Sequence, residues 1–333
     1  MPSQTLDQIY ELAYAALTGS GASHLQADPT ARSIADAEAE GIRNVGLAYL
    51  PTYCEHLRVG KVNGRANPRI VFQAGSAIRV DADLGFAHPA FLVGFGSLVP
   101  IAEAQGIAAM ALTHSYSAGV LGWFVDLLAR RGLVALGFAN ASPSIAPWGG
   151  RVPLFGTNPL AMASPRTEGP PLVIDMATSA TARVNVMEAA ARGEPIPADW
   201  ALDNEGRPTT NAASALAGSI APMGGAKGYG LALMVELLAA GVTGSNWSFQ
   251  TSSLTDNDGG PPDIGQFFIA INPARFGASK WTERFEELTL QIENEDSVRL
   301  PGDRRHIARE SAAESGVEVP AELLTLIKEY ASP

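Results

Sequence analysis

Residues Ala146–Ala182 read APWGGRVPLFGTNPLAMASPRTEGPPLVIDMATSATA, and this stretch decides the fold. It begins with a Gly- and Pro-rich segment, Pro147-Trp148-Gly149-Gly150 to Pro153, which is rigid and turning. In Phe155-Gly156-Thr157-Asn158-Pro159, the glycine and the residue before proline are both drawn out of helical geometry. The apolar run Pro171-Leu172-Val173-Ile174 has the composition of a buried strand. At its end stands Asp175-Met176-Ala177-Thr178-Ser179, leading into the Ala-rich segment 180–191, which predicts a helix N-cap. Free N–H groups and a helix dipole at the carboxyl end of a strand are where open α/β sheets bind ligands. Tight turns supporting a core strand would use the same residues.

On the N-terminal side of this stretch the pattern alternates. Phe91–Glu103 reads as a helix, Ile107–Leu112 as a strand, Gly122–Arg131 as a helix and Leu133–Phe138 as a strand. Such alternation predicts a largely parallel sheet covered by helices, extended by Leu160–Ala163 and Leu172–Ile174. Strands are also expected at Arg69–Gln73, Ala77–Asp81 and Phe267–Ile271. Thr5 and Gln8 have capping-box spacing ahead of Leu6, Ile9, Ala13 and Leu17, a helix ended by Gly19-Ser20-Gly21. Further helices are expected at Ala31–Glu40, Leu47–Leu57, Ala182–Arg192, Gly228–Ala240, Phe276–Glu293 and Ala321–Tyr330, with an exposed loop at Ser245–Pro262.

The 333 residues suffice for a large core and two domains. With 46% hydrophobic and 17% charged residues the chain is globular in composition. A net charge of −11 argues against a nucleic-acid partner, which needs a basic footprint. The single cysteine, Cys54, excludes an intrachain disulfide framework and a Cys-based zinc cluster. The start, MPSQTLDQIYELAYAAL, has no basic region and carries Asp7 and Glu11, so it is not read as a signal peptide. The most apolar helical run, Leu231–Leu238, contains Glu236, and no segment is read as a bilayer span.

Common site motifs are missing. Gly94-Phe95-Gly96-Ser97-Leu98-Val99 puts Val at the third glycine of a dinucleotide fingerprint. Gly224-Gly225-Ala226-Lys227-Gly228 lacks the Gly before and the Ser or Thr after the lysine that a phosphate-binding P-loop needs. A Gly-rich turn with a lysine opening a helix can still hold phosphates. The five histidines, among them His114 after a strand, show no ligand pairing at i,i+3 or i,i+4, so no metal is expected.

Taken together and in order, APWGG, FGTNPLAMASP, DMATSATAR, IPADWALDNEGRPTTN, GGAKGYGLALMVELL and LPGDRR closely resemble the type 2 malate/L-lactate dehydrogenase family. The resemblance covers nearly the whole chain. It implies an α/β protein whose central mixed sheet belongs to a non-Rossmann NAD(P)-binding domain over 76–274. A second, mainly helical dimerisation lobe would comprise 1–75 with 275–333. The implied activity is NAD(P)H-dependent reduction of a small cyclic imino acid or 2-keto acid, in a cytoplasmic homodimer that binds neither nucleic acid nor membrane. Carried over by motif, the cofactor contacts fall on Ser117-Ala118-Gly119-Val120-Leu121, Asp175-Met176-Ala177, Lys227-Gly228 and the Leu300–His306 segment with Pro301, Gly302, Arg304 and Arg305. Thr157 matches a substrate-contacting threonine. The paired arginines lean toward NADP over NAD, because a 2′-phosphate seeks Arg.

The departures from the family pattern fall on its catalytic half. Where the family reads G-I-x-S-H-G-V-x-R, this chain reads Gly41-Ile42-Arg43-Asn44-Val45-Gly46-Leu47-Ala48-Tyr49. Asn44 replaces the Ser, Val45 the proton-donating His and Tyr49 the carboxylate-binding Arg. Asn185 stands where a relay Asp is expected. Valine transfers no proton and asparagine is no carboxylate. Losing the acid harms ketone reduction more than reduction of an iminium, which already carries its proton, and so tilts the reading toward an imino acid. Tyr49 and His114 are the replacement donors, with Asn44 and Asn185 at the altered positions. Arg43 and Arg183 flank those positions as candidate carboxylate partners. A dinucleotide-binding protein that has lost catalysis is the competing class.

Overall fold

The computed structural model describes residues 2–295 and 297–331. The chain opens with β1 (Ser3–Gln4) and α1 (Leu6–Gly19). Thr5 caps α1 as expected: its hydroxyl accepts the Gln8 N–H at 3.2 Å, and the Gln8 side chain accepts the Thr5 N–H at 2.9 Å. Next, α2 (His24–Ala39) starts well before Ala31 and carries Pro29 inside it, where the proline has no N–H to bond the preceding turn. Helix α3 (Leu50–Arg58) follows, with Pro51 in its first turn.

Then come β2 (Arg69–Ala74), β3 (Ala77–Asp81), α4 (Ala87–Gln105), β4 (Ile107–Ser115), α5 (Leu121–Ala129), β5 (Val134–Ala139), β6 (Leu160–Ser164) and β7 (Leu172–Met176). After them lie α6 (Arg183–Arg192), β8 (Ala201–Leu202), α7 (Ala212–Ala217), β9 (Ser219–Ile220), α8 (Ala226–Glu236) and β10 (Ile264–Ile271). The chain finishes with α9 (Trp281–Glu293), α10 (Asp303–Ser315), β11 (Val317–Glu318) and α11 (Ala321–Ala331).

Seven strands form one mixed sheet in the order β2-β3-β4-β10-β5-β6-β7. Only β3 and β4 pair in parallel; every other pairing in it is antiparallel. The expected parallel sheet is corrected by β10, which arrives from far along the chain and inserts antiparallel between β4 and β5. Local alternation cannot register such an insertion.

The main core lies between this sheet and α4 and α5. Phe91 meets Phe124 at 5.0 Å and Phe268 at 4.9 Å between ring centroids. His88 is enclosed there against the Phe124 ring, and burial lowers its pKa to about 3, so it is a neutral core residue. Helix α4 is 19 residues long and apolar enough to cross a bilayer, which the sequence reading did not anticipate. It is instead a core helix, with Phe91, Leu98 and Val99 buried against the sheet. A second core joins α1, α2, α3 and α11 through Ile9, Leu17, Ile34, Leu50, Tyr53 and Ile327. β1 pairs with β11 and ties the two ends of this layer.

Three further differences matter for the site. Asp175, Thr178 and Ser179 do not cap α6; its N-cap is Ala182, with no side-chain bond. Helix α9 begins at Trp281, after a separate turn at Pro273–Phe276. Helix α10 is unforeseen, because Ala312 is its sole buried residue and it shows no apolar stripe.

Candidate active site

The site is built where α5, β7 and α10 converge. The loop 117–121 runs from β4 into α5, turning at Gly119 with φ +61°. Gly122 follows in the first turn of α5. A Cβ there would lie 3.0 Å from Arg305 and Val173 and 3.1 Å from Asp175, so the packing needs a glycine. The Gly122 N–H donates to Asp175 Oδ2 at 2.8 Å. Arg305 lies 3.6 Å from the same carboxylate and 4.0 Å from Glu40. Burial pushes the Asp175 carboxyl above its ordinary value, against the opposing pull of Arg305 and the Gly122 N–H.

Asp36 on α2 and Glu40 at its C-cap hold Arg309 at 2.8 and 2.9 Å, and Asp36 also accepts the Trp123 indole N–H at 2.9 Å. Thus α2 and α10 are locked to α5 by charge. Beside this lock, Ile174 and Asp175 face Arg299, Pro301, Gly302 and Arg304 across a cleft of about 230 Å³. The Val120 and Gly302 caps of α5 and α10 make no side-chain bond to their helices. Open helix N-termini beside arginines fit the phosphates of a dinucleotide.

The other matched segments join through the loop after β7. Thr178 donates to the Thr157 carbonyl from its backbone N–H at 2.9 Å and from its hydroxyl at 3.0 Å. The Met223 N–H donates to the Thr178 carbonyl at 2.8 Å, which brings α8 alongside. Lys227 is exposed in the first turn of α8, while Gly228 is buried. A Cβ at Gly228 would lie 2.0 Å from the Met223 carbonyl oxygen. Asn158, next to Thr157, is fully buried in the left-handed region at φ +37°. It donates to Glu236 at 2.7 Å and to the Ala232 carbonyl at 3.0 Å, and Ser248 completes the network with 2.6 Å bonds to Glu236. The Phe155–Pro159 turn is therefore fixed by buried polar bonds.

The altered motif occupies a short 3₁₀ turn, Arg43–Val45. Arg43 and Asn44 are exposed and Val45 is half-buried. Beneath the turn, Glu38 accepts the Leu47 N–H at 2.7 Å. Burial raises the pKa of Glu38 above its usual range. Tyr49 points inward: its hydroxyl donates to the Leu254 carbonyl at 2.5 Å and reaches the Tyr116 hydroxyl. Its ring packs edge-on against Tyr53 at 4.8 Å, and the Tyr53 hydroxyl points to the loop 117–121, where a Cβ on Gly119 would come within 3.3 Å of it. Burial pushes Tyr49 up to about 12, so its phenol stays protonated at neutral pH.

The remaining candidates sit elsewhere. His114 does not follow β4; it is the penultimate residue of that strand, at φ +50°. Its Nδ1 lies 3.1 Å from Asp81 on β3, and its backbone N–H donates to Ser245. On α6, Asn185 donates to Thr181 at 3.0 Å and Arg183 to the Leu216 carbonyl at 3.4 Å. The structure thus gathers Ser117–Leu121, Asp175–Ala177, Thr157, Lys227, Arg304, Arg305 and Tyr49 through a chain of contacts. It engages His114, Asn185 and Arg183 in separate local bonds. Sequence reasoning missed Gly122, Asp36, Glu40, Arg309 and Tyr116, none of which carries a local signature.

Comparison with known proteins identifies the family. The profile of the malate/L-lactate dehydrogenase family matches residues 5–328. The chain belongs to that family. It is an NAD(P)-dependent oxidoreductase. Among characterised relatives, the (2R)-3-sulfolactate dehydrogenase (NADP(+)) of Chromohalobacter salexigens is 46% identical over 98% of this chain and 97% of its own. The Δ1-pyrroline-2-carboxylate/Δ1-piperideine-2-carboxylate reductase of Pseudomonas syringae pv. tomato is 37% identical over 99% and 97%. The crystal structure of the Δ1-piperideine-2-carboxylate reductase from that organism superposes with a TM-score of 0.94 at 36% identity, covering 99% of this chain and all of the other. A sulfolactate dehydrogenase from Methanocaldococcus jannaschii gives a TM-score of 0.91 at 28% identity, over 99% and 96%.

Proposed function

We propose that this dehydrogenase interconverts a small anionic 2-keto acid and its 2-hydroxy acid, in the class of sulfopyruvate and sulfolactate, with NADPH as the preferred cofactor. The observation that carries this reading is the protonated Tyr49 phenol, set half-buried beside the loop 117–121 where the altered motif has no other acid. A ketone needs a proton at its developing alkoxide, and Tyr49 supplies one. The 46% identity to a sulfolactate dehydrogenase points the same way. Bound NAD(P)H supplies the hydride. The chain's own part is to hold the cofactor phosphates at the α5 and α10 N-termini and Lys227, to place Thr157 and Arg43 toward the substrate, and to give the proton from Tyr49.

A cyclic imino acid is the second reading, favoured by the 0.94 superposition on a piperideine-carboxylate reductase. The division into 76–274 as cofactor domain and 1–75 with 275–333 as dimerisation lobe belongs to this proposal. So does a cytoplasmic homodimer, supported by exposed Met234, Leu237 and Phe249 on and near α8. Light scattering that gives a monomer mass would remove the dimer. The deciding assay compares kcat/KM with NADPH on sulfopyruvate, pyruvate and oxaloacetate against pyrroline- and piperideine-2-carboxylate. Faster turnover of the cyclic imines would overturn the first reading in favour of the second. A chain that binds NADPH and turns over neither class would be the non-catalytic alternative.

A further inference from the structure

Behind Tyr49 lies a buried chain of hydroxyls ending on a histidine that the altered motif does not include. Tyr116, fully buried just past β4, packs with Tyr49 against the Tyr53 ring, at 5.8 and 4.8 Å between centroids, which sets the two phenols side by side, and its hydroxyl lies 2.5 Å from His56 Nδ1. His56 Nε2 lies 2.8 Å from the Asp256 carbonyl, and the Tyr49 hydroxyl bonds the Leu254 carbonyl. The loop bearing both carbonyls is pinned by Lys61, whose buried ammonium donates to the carbonyls of Ser253, Asp256 and Asp258 at 2.6, 3.0 and 2.7 Å.

Counting protons decides what this chain can do. A carbonyl only accepts, so Nε2 must carry a hydrogen directed at Asp256. In neutral His56, Nδ1 is then an acceptor and takes the Tyr116 hydrogen. The Tyr49 hydrogen goes to Leu254, and no hydrogen remains between the two phenol oxygens. One added proton removes this gap. Imidazolium Nδ1–H then donates to Tyr116, Tyr116 to Tyr49, and Tyr49 to Leu254 or to a substrate oxygen in its place. Every contact is then filled, in one direction.

We propose that His56 is the proton reservoir of the site, connected through Tyr116 to Tyr49, which touches the substrate. This inference rests on the keto-acid reading above. In the transfer, the Tyr49 O–H bond breaks as the substrate oxygen gains the proton, Tyr116 reprotonates Tyr49, and Nδ1–H reprotonates Tyr116. His56 ends neutral with its proton on Nε2, and water recharges the chain through Tyr49 after product leaves. Tyr116 and His56 act through Tyr49 and are positioning residues. The charged and titratable groups around His56 are Tyr116 just past β4, Glu55 on its own helix, Lys61, and Asp256 from the loop. Burial and Lys61 lower its pKa, while Asp256 and Glu55 raise it, with burial the largest.

Two measurements test this. The first is ¹⁵N-imidazole NMR of His56 across pH in the free enzyme, for wild type and Tyr116→Phe. The second is the pH profile of kcat/KM for sulfopyruvate reduction. Only the charged reservoir delivers, so kcat/KM falls about tenfold per pH unit above the His56 midpoint, and the kinetic and NMR midpoints coincide. Tyr116→Phe removes the acceptor of Nδ1–H, so it lowers the NMR midpoint by about one pH unit for one bond to a charged group, and it cuts the reservoir off from Tyr49, so the kinetic limb disappears. His56→Gln keeps a donor for Asp256 but carries no extra proton, so the limb disappears and the acid-side rate drops about 100-fold. A His56→Gln enzyme that keeps the wild-type limb, or a Tyr116→Phe enzyme whose His56 midpoint is unmoved, overturns the chain. Because the NMR experiment uses no substrate, failure of the chain is distinguishable from failure of the substrate reading, which shows as no turnover of any keto acid.

Discussion

The Gly122 amide donates to the Asp175 carboxylate at 2.8 Å, and this one bond fastens the start of α5 to the end of β7. Asp175 lines the cleft proposed to hold the cofactor, so the bond fixes one wall of that cleft to α5. Arg305 faces the same carboxylate at 3.6 Å, which links α10 to the joint.

Replacing Asp175 therefore separates acceptor from charge. Asp175→Asn keeps an oxygen for the Gly122 N–H and loses only the pairing with Arg305. Asp175→Ala also leaves that N–H without its acceptor, at a cost of ~1–3 kcal/mol. Urea unfolding at pH 7 should find Asn at least as stable as wild type, because the net raised pKa makes the buried charge costly, and Ala less stable than Asn, while NADPH binding weakens from wild type through Asn to Ala. An Ala variant as stable as the Asn variant would show that the bond contributes nothing.

Lys227 is exposed in the first turn of α8, beside the Thr178 loop. In the proposed function it meets cofactor phosphate as a point charge. Lys227→Ala should cost ~1–3 kcal/mol in NADPH binding, as for one charge-assisted bond. Titration calorimetry giving equal affinity for wild type and variant would remove Lys227 from the cofactor site.

Glu38 gives a pH-dependent expectation. Burial raises its folded pKa above the unfolded value. The folded state then holds the proton more tightly, so stability falls as pH rises from the unfolded pKa through the folded one, and the cost persists above. Glu38→Gln keeps an oxygen for the Leu47 N–H without the buried charge. The variant should be more stable than wild type at pH 7, with that advantage gone near pH 4. Equal wild-type and variant stability at both pH values would refute the assignment.

Much of this architecture was legible locally. The capping box at Thr5, the strands at 69–73 and 77–81 and the turn chemistry of Phe155–Pro159 follow from neighbours in sequence. The insertion of β10 was not, since strand order depends on pairing across more than a hundred residues. Helix α10 was hidden because it is a polar surface helix bearing Arg305 and Arg309, with no hydrophobic period to reveal it. In the site, the glycine-rich segments marked the loops that are proposed to hold the cofactor. Tyr116 and His56 did not announce themselves, because an interior Tyr–His contact looks in sequence like two ordinary core residues. The loss of the family's histidine at Val45 suggested a substrate needing no acid, and the contact of His56 on α3 with Tyr116, just past β4, is what supports the proposed acid behind Tyr49.

That contrast yields a prediction about Val45 and Tyr49 together. Tyr49→Phe removes the proton donor and keeps the ring against Tyr53. General acid catalysis is worth ~100- to 10,000-fold, so reduction of a keto acid should fall within that range. Reduction of a protonated cyclic imine should change less than tenfold, since its rate follows the charged fraction of the substrate itself. Loss of the bond to Leu254 affects both substrates alike, at ~1 kcal/mol, and so cancels in the comparison. Adding Val45→His to Tyr49→Phe returns an imidazole to the position the family uses, and should recover keto-acid activity without raising imine activity. Its half-buried setting will depress the imidazole's pKa, so recovery should be larger at pH 6 than at pH 8. Steady-state kinetics on both substrates, with both variants, provides the measurement. An equal loss on ketone and imine in Tyr49→Phe would make Tyr49 a structural residue and return the proton donor to His114 or to water.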